Sequence, residues 1–350
     1  MYWHDNRDMV CDQIDNILSG GIKMAERYLV TGALGCIGAW TVKRLIDEGA
    51  PVWTYDLPGE PHRLRLIMSD EALAKVNFIQ GDITDAEAFD HAVAENGITH
   101  IIHLAALQVP FVRANPTLGA KVNVVGTTVV LETVRQHKSQ IQGLAYASSV
   151  GVYGGMDLYP GGVLRHDSPL FPLNLYGVFK QANEGTARIY WLESGVRSIG
   201  IRPYVIYGPG RDQGMSSTPT KAMLAAAAGR SYHISYGGSI VFQYADDTAR
   251  AFIQAARAAV DGATVYNLGG FESSIEATVQ VINAVAPEMA GRITYNPVPL
   301  ATPPHVDGAP LESAIGPLHW TPLEDGARQT IDIFRNAISA GKIDVNRILS

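Results

Sequence analysis

Tyr176 and Lys180 stand four residues apart in NLYGVFK, which reads as the start of a helix. That spacing is about one helical turn, so a phenol and an ammonium share one face. Together they form an acid–base pair, although any solvated helix edge carries such spacings, and the rest of the chain must decide between the two. A second stretch, TGALGCIG at 31–38, sets glycines at 32, 35 and 38. Glycine permits a tight turn and lets the backbone approach a pyrophosphate, which then rests on a helix N-terminus. Asp56 follows roughly twenty residues on, where a carboxylate accepts hydrogen bonds from adenosine ribose hydroxyls and repels a 2′-phosphate. NAD is therefore favoured over NADP, while Arg63 and Arg65 keep a phosphate partner open. GDITD (81–85) places Asp82 and Ile83 where a third strand ends, a position that also suits a helix cap.

The elements that must carry these residues are legible in the hydrophobic pattern. RYLVTG (27–32), PVWTYD (51–56), VNFIQGD (76–82), THIIHLAA (99–106) and LAYASS (144–149) read as buried strands. GAWTVKRLIDEGA, with Val42, Leu45, Ile46 and a closing Gly49, and NVVGTTVVLETVRQH (123–137) read as helices between them. This alternation predicts an α/β fold, a doubly wound parallel sheet. After Gly208 a Gly- and Ser-rich loop, GPGRDQGMSSTPT, opens a smaller lobe. It contains helices at KAMLAAAAGR, 275–286 and TPLEDGARQTIDIFRNAI, a strand at 264–270 and a Pro-rich extended stretch. The expected division is an N-terminal extension of unknown role at 1–23, a cofactor domain at 24–208 and a mainly substrate-binding lobe at 209–350. A strand and helix near 240–270 are expected to return to the main sheet.

Of the 350 residues, 47% are hydrophobic and 17% charged, with a formal net charge of −7 and no long Lys or Arg run. Such a surface disfavours nucleic acid, and with it an RNA-binding role. Cys11 and Cys36 make neither a CxxC pair nor a disulfide framework, so a reducing cytoplasm is expected. No apolar stretch is long enough for a membrane-spanning helix, and the N-terminus is unlike a secretory signal, with Met24 a candidate start of the catalytic domain.

Taken in order, TGALGCIG, Asp56, GDITD, HLAAL (103–107), NVVGT (123–127), YASSVGVYG (146–154), YGVFK (176–180), IRPYVIYGPG (201–210) and YADDTARAF (244–252) resemble a known family. It is the extended short-chain dehydrogenase/reductases of the NAD-dependent epimerase/dehydratase type. The resemblance implies a Rossmann-type fold with Tyr176 as acid/base, Lys180 on the nicotinamide ribose and Ser149 as the catalytic hydroxyl. Ser148 and Asn123 then support the site. The implied cofactor set is Gly32, Gly35, Cys36, Ile37, Gly38, Asp56, Asp82, Ile83, Leu104, Ala105, Ala106, Lys180 and Tyr204. A homodimer through the helices near 118–137 and 176–194 is implied too. The chemistry has its own physical basis. A free tyrosine titrates near 10, so bringing it to about 7 requires roughly 4 kcal/mol of differential stabilisation, which an adjacent ammonium and a positive nicotinamide ring favour.

Three outcomes follow hydride removal: release of a ketone, epimerisation or dehydration. Dehydratases of the family carry an Asp-Glu pair after the catalytic hydroxyl; Val150 and Gly151 stand there, so dehydration is disfavoured. Nucleotide-sugar members usually carry an Asn where Val205 stands, and an arginine before the Y-x-D-D segment, where GGSIVFQYADD has no basic residue. A diphosphate without a guanidinium loses a strong contact, although Arg211, Lys221 or Arg230 could replace it. A small non-nucleotide sugar, sugar acid, polyol or hydroxy acid is therefore preferred. A sugar or nucleotide-sugar epimerase with tightly held NAD and a non-catalytic NAD-binding protein are the alternatives, the second disfavoured by the intact Ser149, Tyr176 and Lys180. Candidate substrate contacts are Gln108, Arg113, Ser216, Ser217, Thr218 and Gln243, each of which also reads as a solvated loop residue. His103 reads as a buried strand residue, and no metal site is visible. Asp246 and Asp247 read as caps of a helix starting near Thr248.

Overall fold

The computed structural model describes residues 25–349, so the readings placed on the N-terminal extension, Cys11 and Met24 lie outside the described residues. Short apolar runs become strands, most of them buried on both faces as parallel sheets require, but β3, read from the sequence as buried, is an edge strand with Asn77, Phe78 and Gln80 exposed. They are β1 (Tyr28–Thr31), β2 (Val52–Asp56), β3 (Asn77–Gln80), β4 (His100–His103), β5 (Gly143–Ala147), β6 (Ile199–Arg202), β7 (Val205–Tyr207), β8 (Ser239–Tyr244), β9 (Val265–Asn267) and β10 (Phe271–Ser274). The main helices are α1 (Cys36–Asp47), α2 (Ala86–Glu95), α3 (Gly126–Gln136), α4 (Leu175–Ser194), α5 (Thr218–Ala227), α6 (Ala245–Arg257), α7 (Ile275–Val285) and α8 (Leu323–Ser339).

The main sheet runs β9-β6-β5-β4-β1-β2-β3, with every neighbouring pair parallel. This is the expected Rossmann-type sheet. Alternate residues feed opposite faces. Tyr28 and Val30 of β1 pack with Val42 and Leu45 of α1 and with Phe252 of α6. Leu29 packs on the other side with Phe89 of α2, Val130 and Val134 of α3 and Ala187 of α4. The carboxyl ends of β1, β2, β4 and β5 therefore meet at one edge, where ligands of such sheets bind.

A second sheet has the order β10-β8-β7; β7 and β8 are parallel, β8 and β10 antiparallel. Its core is built with Met223 and Leu224 of α5, Ile282 of α7 and Phe334 of α8. Of the 240–270 stretch, the strand β9 and the helix α6 return to the main sheet, while β8 joins the second sheet with β7. The chain leaves the first sheet at Pro203, which has no N–H to donate to a ladder. Helix α6 begins at Ala245, without a side-chain cap. Asp246 instead pairs with Arg44 and Arg250, and Asp247 accepts from the Thr321 N–H at 2.6 Å and its hydroxyl at 3.0 Å. Both carboxylates sit in the first helical turn, where the helix dipole favours them without capping.

Candidate active site

A cavity of about 640 Å³ opens along the carboxyl edge of the main sheet, and every residue of the expected cofactor set lines it. Its floor is the turn between β1 and α1. Gly32 has a φ of 69°, and a Cβ there would lie 2.6 Å from the Ala105 nitrogen. A Cβ on Gly38 would lie 2.2 Å from the Gly32 carbonyl oxygen. The glycines thus let three backbone segments converge into a bare cradle at the start of α1, a shape that fits a pyrophosphate. At the end of β2, Asp56 accepts a hydrogen bond from the Leu34 N–H at 3.2 Å. Burial pushes its carboxyl up to about 7, against the pull of the Leu34 and Ala33 N–H groups.

Arg63 gives this corner no free charge. It donates to the carbonyls of Leu34 (2.7 Å) and Gly210 (3.0 Å) and pairs with Asp212 at 2.7 Å. Arg65 pairs with exposed Glu60. Arg63 is spent on these partners and Arg65 does not line the cavity, so the residues present fit NAD. Asp82 spends one carboxylate oxygen on the N–H and hydroxyl of Thr84, while Asp85 caps α2.

The catalytic candidates converge from three elements. Helix α4 starts at Leu175, where the Asn174 side chain accepts from the Gly177 N–H at 3.0 Å. Gly177 lets the helix press onto the turn after β5: a Cβ there would lie 2.1 Å from the Gly151 carbonyl oxygen. That approach brings Tyr176 against Ser149, whose Oγ accepts from the Gly151 N–H at 3.0 Å. Burial raises the Tyr176 phenol, while the neighbouring Ser149 hydroxyl and the charge of Arg211 pull it back. Lys180, only 4% exposed, donates to the Ala147 carbonyl at 2.6 Å, with its Nζ 5.8 Å from the centre of the Tyr176 ring. Burial lowers its ammonium to about 8, and the Glu184 carboxylate one turn along α4 opposes that fall. The lysine thus lies under the phenol without bonding to it.

Glu184 and Arg202 form a pair that the sequence reading missed. At 7% and 4% exposure, they make two hydrogen bonds, of 2.8 and 2.7 Å, and Ser148 donates to the same carboxylate. The available signal was a charged residue inside the apolar run of β6 and another one turn beyond Lys180. Ser148 therefore belongs to a buried network beneath the site. Asn123 lies within a single π turn, Lys121–Val125, just before α3. Its amide accepts from the Leu107 N–H at 2.7 Å and donates to the Leu107 carbonyl at 2.9 Å, fixing the loop after β4. His103 is buried between Thr31 and Thr127, and burial lowers its pKa to about 3, so it stays neutral. Among the described residues there is no cluster of metal-ligating side chains.

The substrate candidates divide. Gln108 and Ser216 line the cavity, and so does Arg211. Four others do not. Arg113 is exposed because Val112 takes the inward face of the short helix Val109–Ala114. Ser217 is buried and donates to the Gly214 carbonyl at 2.8 Å. Thr218 shares a hydrogen bond with Ser235. Gln243, fully buried, accepts from the Tyr204 N–H at 2.7 Å and donates to the carbonyls of Leu268 and Gly269 at 2.7 and 2.8 Å. A buried amide so engaged holds backbone together and has no donor left for a ligand. Lys221 and Arg230 also lie off the cavity, the latter donating to Asn346. Leu300 and Thr302, from the Pro-rich stretch, line the cavity unforeseen; nothing in their local pattern marks them.

The model of the NAD dependent epimerase/dehydratase family matches residues 28–269. The chain belongs to that family. A UDP-glucose 4-epimerase from Mycolicibacterium smegmatis is 30% identical over 327 residues, 89% of this chain and 99% of the relative. A solved UDP-glucose 4-epimerase from Thermotoga maritima, with UDP-glucose, aligns at a TM-score of 0.75 with 23% identity over 89% of this chain and 99% of its own. A monomeric L-threonine 3-dehydrogenase from a metagenome aligns at 0.74, with 23% identity over 88% and 99%. The two structures show the fold alone. As a member of the family, this chain is an NAD-dependent enzyme of the epimerase and oxidoreductase kind, and among its described residues no helix is long and apolar enough to cross a membrane.

Proposed function

We propose that this epimerase/dehydratase family enzyme oxidises a secondary alcohol on a small, non-nucleotide hydroxylated substrate. The observation that carries this reading is the convergence of Ser149 and Tyr176 on the cavity that holds the glycine cradle, with Lys180 buried under the ring. Bound NAD supplies the hydride acceptor and a positive ring beside the phenol. Ser149 holds the substrate oxygen, and Tyr176, as phenolate, takes the alcohol proton. The buried Lys180 ammonium favours that phenolate, and Glu184 beneath it favours the ammonium. Gly151 leaves the space beside the phenol without a second acid, since a Cβ there would lie 3.6 Å from the Tyr176 ring and 3.3 Å from Ser149 Oγ. This supports simple oxidation over dehydration.

The small substrate is supported by what faces the cavity. Val205 is buried in β7, and the basic alternatives for a diphosphate reduce to Arg211, because Lys221 and Arg230 do not line it. A diphosphate carries more charge than one guanidinium balances. A second reading, an epimerase that retains NAD and returns the hydride to the opposite face, is supported by the full-length likeness to the Mycolicibacterium enzyme. Residues 24–208 act as the cofactor part and 209–350 mainly as the substrate lobe. Leu118 and Val125, in the turns leading into α3, and Leu175, Val178, Ile189 and Leu192 on α4 are exposed apolar side chains, which supports a homodimer. A cytoplasmic setting suits the free Cys36 thiol.

Tyr176→Phe tests the chemistry. It is expected to abolish turnover while NAD binding, followed by fluorescence, stays unchanged; near-normal turnover overturns the mechanism. Steady NADH release on a panel of small alcohols supports the dehydrogenase. Retained cofactor with no net NADH supports the epimerase.

A further inference from the structure

Arg211 sits in the loop after β7 and lines the catalytic cavity. Its Nε is buried and has no hydrogen-bond partner, while Nη2 donates to Ser216 Oγ at 3.1 Å. The nearest acid in sequence, Asp212, is already taken by Arg63 at 2.7 Å and His62 at 3.5 Å, and no carboxylate of the described residues pairs with Arg211. A buried donor on a charged group without a partner is costly. The neighbouring geometry keeps that corner open. Gly214 has a φ of 93°, and a Cβ on it would lie 2.4 Å from Gln108 Oε1 and 3.1 Å from Arg211 Nη2. The bare glycine lets an amide and a guanidinium share one space.

The other cations at the cavity are committed. Lys180 donates to Ala147 beneath Tyr176, and Arg63 is fully engaged with Leu34, Gly210 and Asp212. The cavity therefore holds one unopposed positive charge, on a planar fork with an unused side. A guanidinium edge matches a carboxylate bidentately, and one negative charge balances it. Arg211, Ser149 and Tyr176 line the same cavity, so an anion held by Arg211 shares that space with the reacting alcohol.

Resting on the proposed chemistry at Tyr176, we infer that Arg211, with Gln108 beside it, selects a substrate that carries a carboxylate near the oxidised hydroxyl. The substrate class narrows to a short hydroxy acid or sugar acid. Neutral sugars and polyols leave the guanidinium unmatched, as does any ligand that cannot reach it.

The test measures binding to the NAD-loaded protein by calorimetry. The probes are gluconate, glucuronate, tartrate and 3-hydroxybutyrate, each beside its neutral alcohol or amide counterpart, and a sugar phosphate. The wild type is expected to bind at least one acid about 100-fold more tightly than its neutral counterpart, the upper scale of a hydrogen bond to a charged group. Arg211→Met is expected to erase that ratio with NAD affinity unchanged, which also shows that the variant is folded, and Arg211→Lys to restore part of it. A wild type that binds no acid better than its counterpart overturns the inference. So does an acid preference that survives in Arg211→Met, or a sugar phosphate that binds more tightly than every acid. Acid selection that persists while Tyr176→Phe turns over normally sinks only the hydride reading.

Discussion

Asp56 makes NAD affinity depend on pH in a direction that can be worked out. In the free protein burial holds its carboxyl at about 7, so it carries a proton through much of the mildly acidic range. A ribose hydroxyl that donates to the carboxylate favours the charged form, and its pKa then falls back towards the ordinary value of about 4. Binding therefore releases a proton below about pH 7, and affinity must rise as pH rises through that value. With those two values, linkage predicts that lowering the pH from about 7.5 to about 5.5 weakens NAD binding roughly twentyfold. Lys180 blurs this window little, because its ammonium, lowered to about 8, stays mostly charged up to about pH 7.5. The assay is the dissociation constant of NAD by calorimetry across that range in two buffers of different ionisation enthalpy, which also counts the proton released. Asp56→Asn is expected to flatten the profile and to narrow the preference for NAD over NADP. A wild-type affinity that does not change with pH refutes the assignment, as does an Asp56→Asn profile that keeps the slope.

Two further outcomes follow from buried charge and exposed apolar surface. Arg202→Met leaves the Glu184 carboxylate buried without its fork and should cost about 3–5 kcal/mol in urea unfolding. Adding Glu184→Leu should recover most of that, and a loss under about 1 kcal/mol in the single variant would show that the pair is solvated. Leu192→Glu places a charge on a side chain 62% exposed on α4. If α3 and α4 form the dimer face, this variant elutes as a monomer and keeps its helical signal; an unchanged oligomeric state argues against that face.

The sequence yields local features better than it yields partners. The first five strands, the glycine turn and the Tyr176–Lys180 spacing depend on neighbours within a few residues, so the pattern carries them, whereas β6, β7 and β10 were not read. Gln243 shows the limit. A glutamine in a strand reads as a binding residue, yet its amide is consumed by backbone groups of Tyr204, Leu268 and Gly269, which lie well away along the chain. Asp246 and Asp247 looked like caps because Asp favours helix starts; their partners, Arg44 and Thr321, come from α1 and from just before α8. The Arg211 charge was legible as a residue but not as unopposed, because that depends on Asp212 being held by Arg63. The exit of the chain from the main sheet at Pro203 and its destination beside β8 were both missed, because strand pairing is set by segments distant in the chain.

Only Pro203 and Tyr204 separate β6 from β7, yet the two strands belong to different sheets. Ser149, Tyr176 and Lys180 are carried by the first sheet and its helices, and the Arg211 loop hangs from the second. Reaction chemistry and molecular selectivity can therefore diverge separately over evolutionary time. For an engineer the same seam is a grafting point: transplanting the segment 208–217 from a cousin should retool what is recognised while leaving the proton-handling apparatus in place.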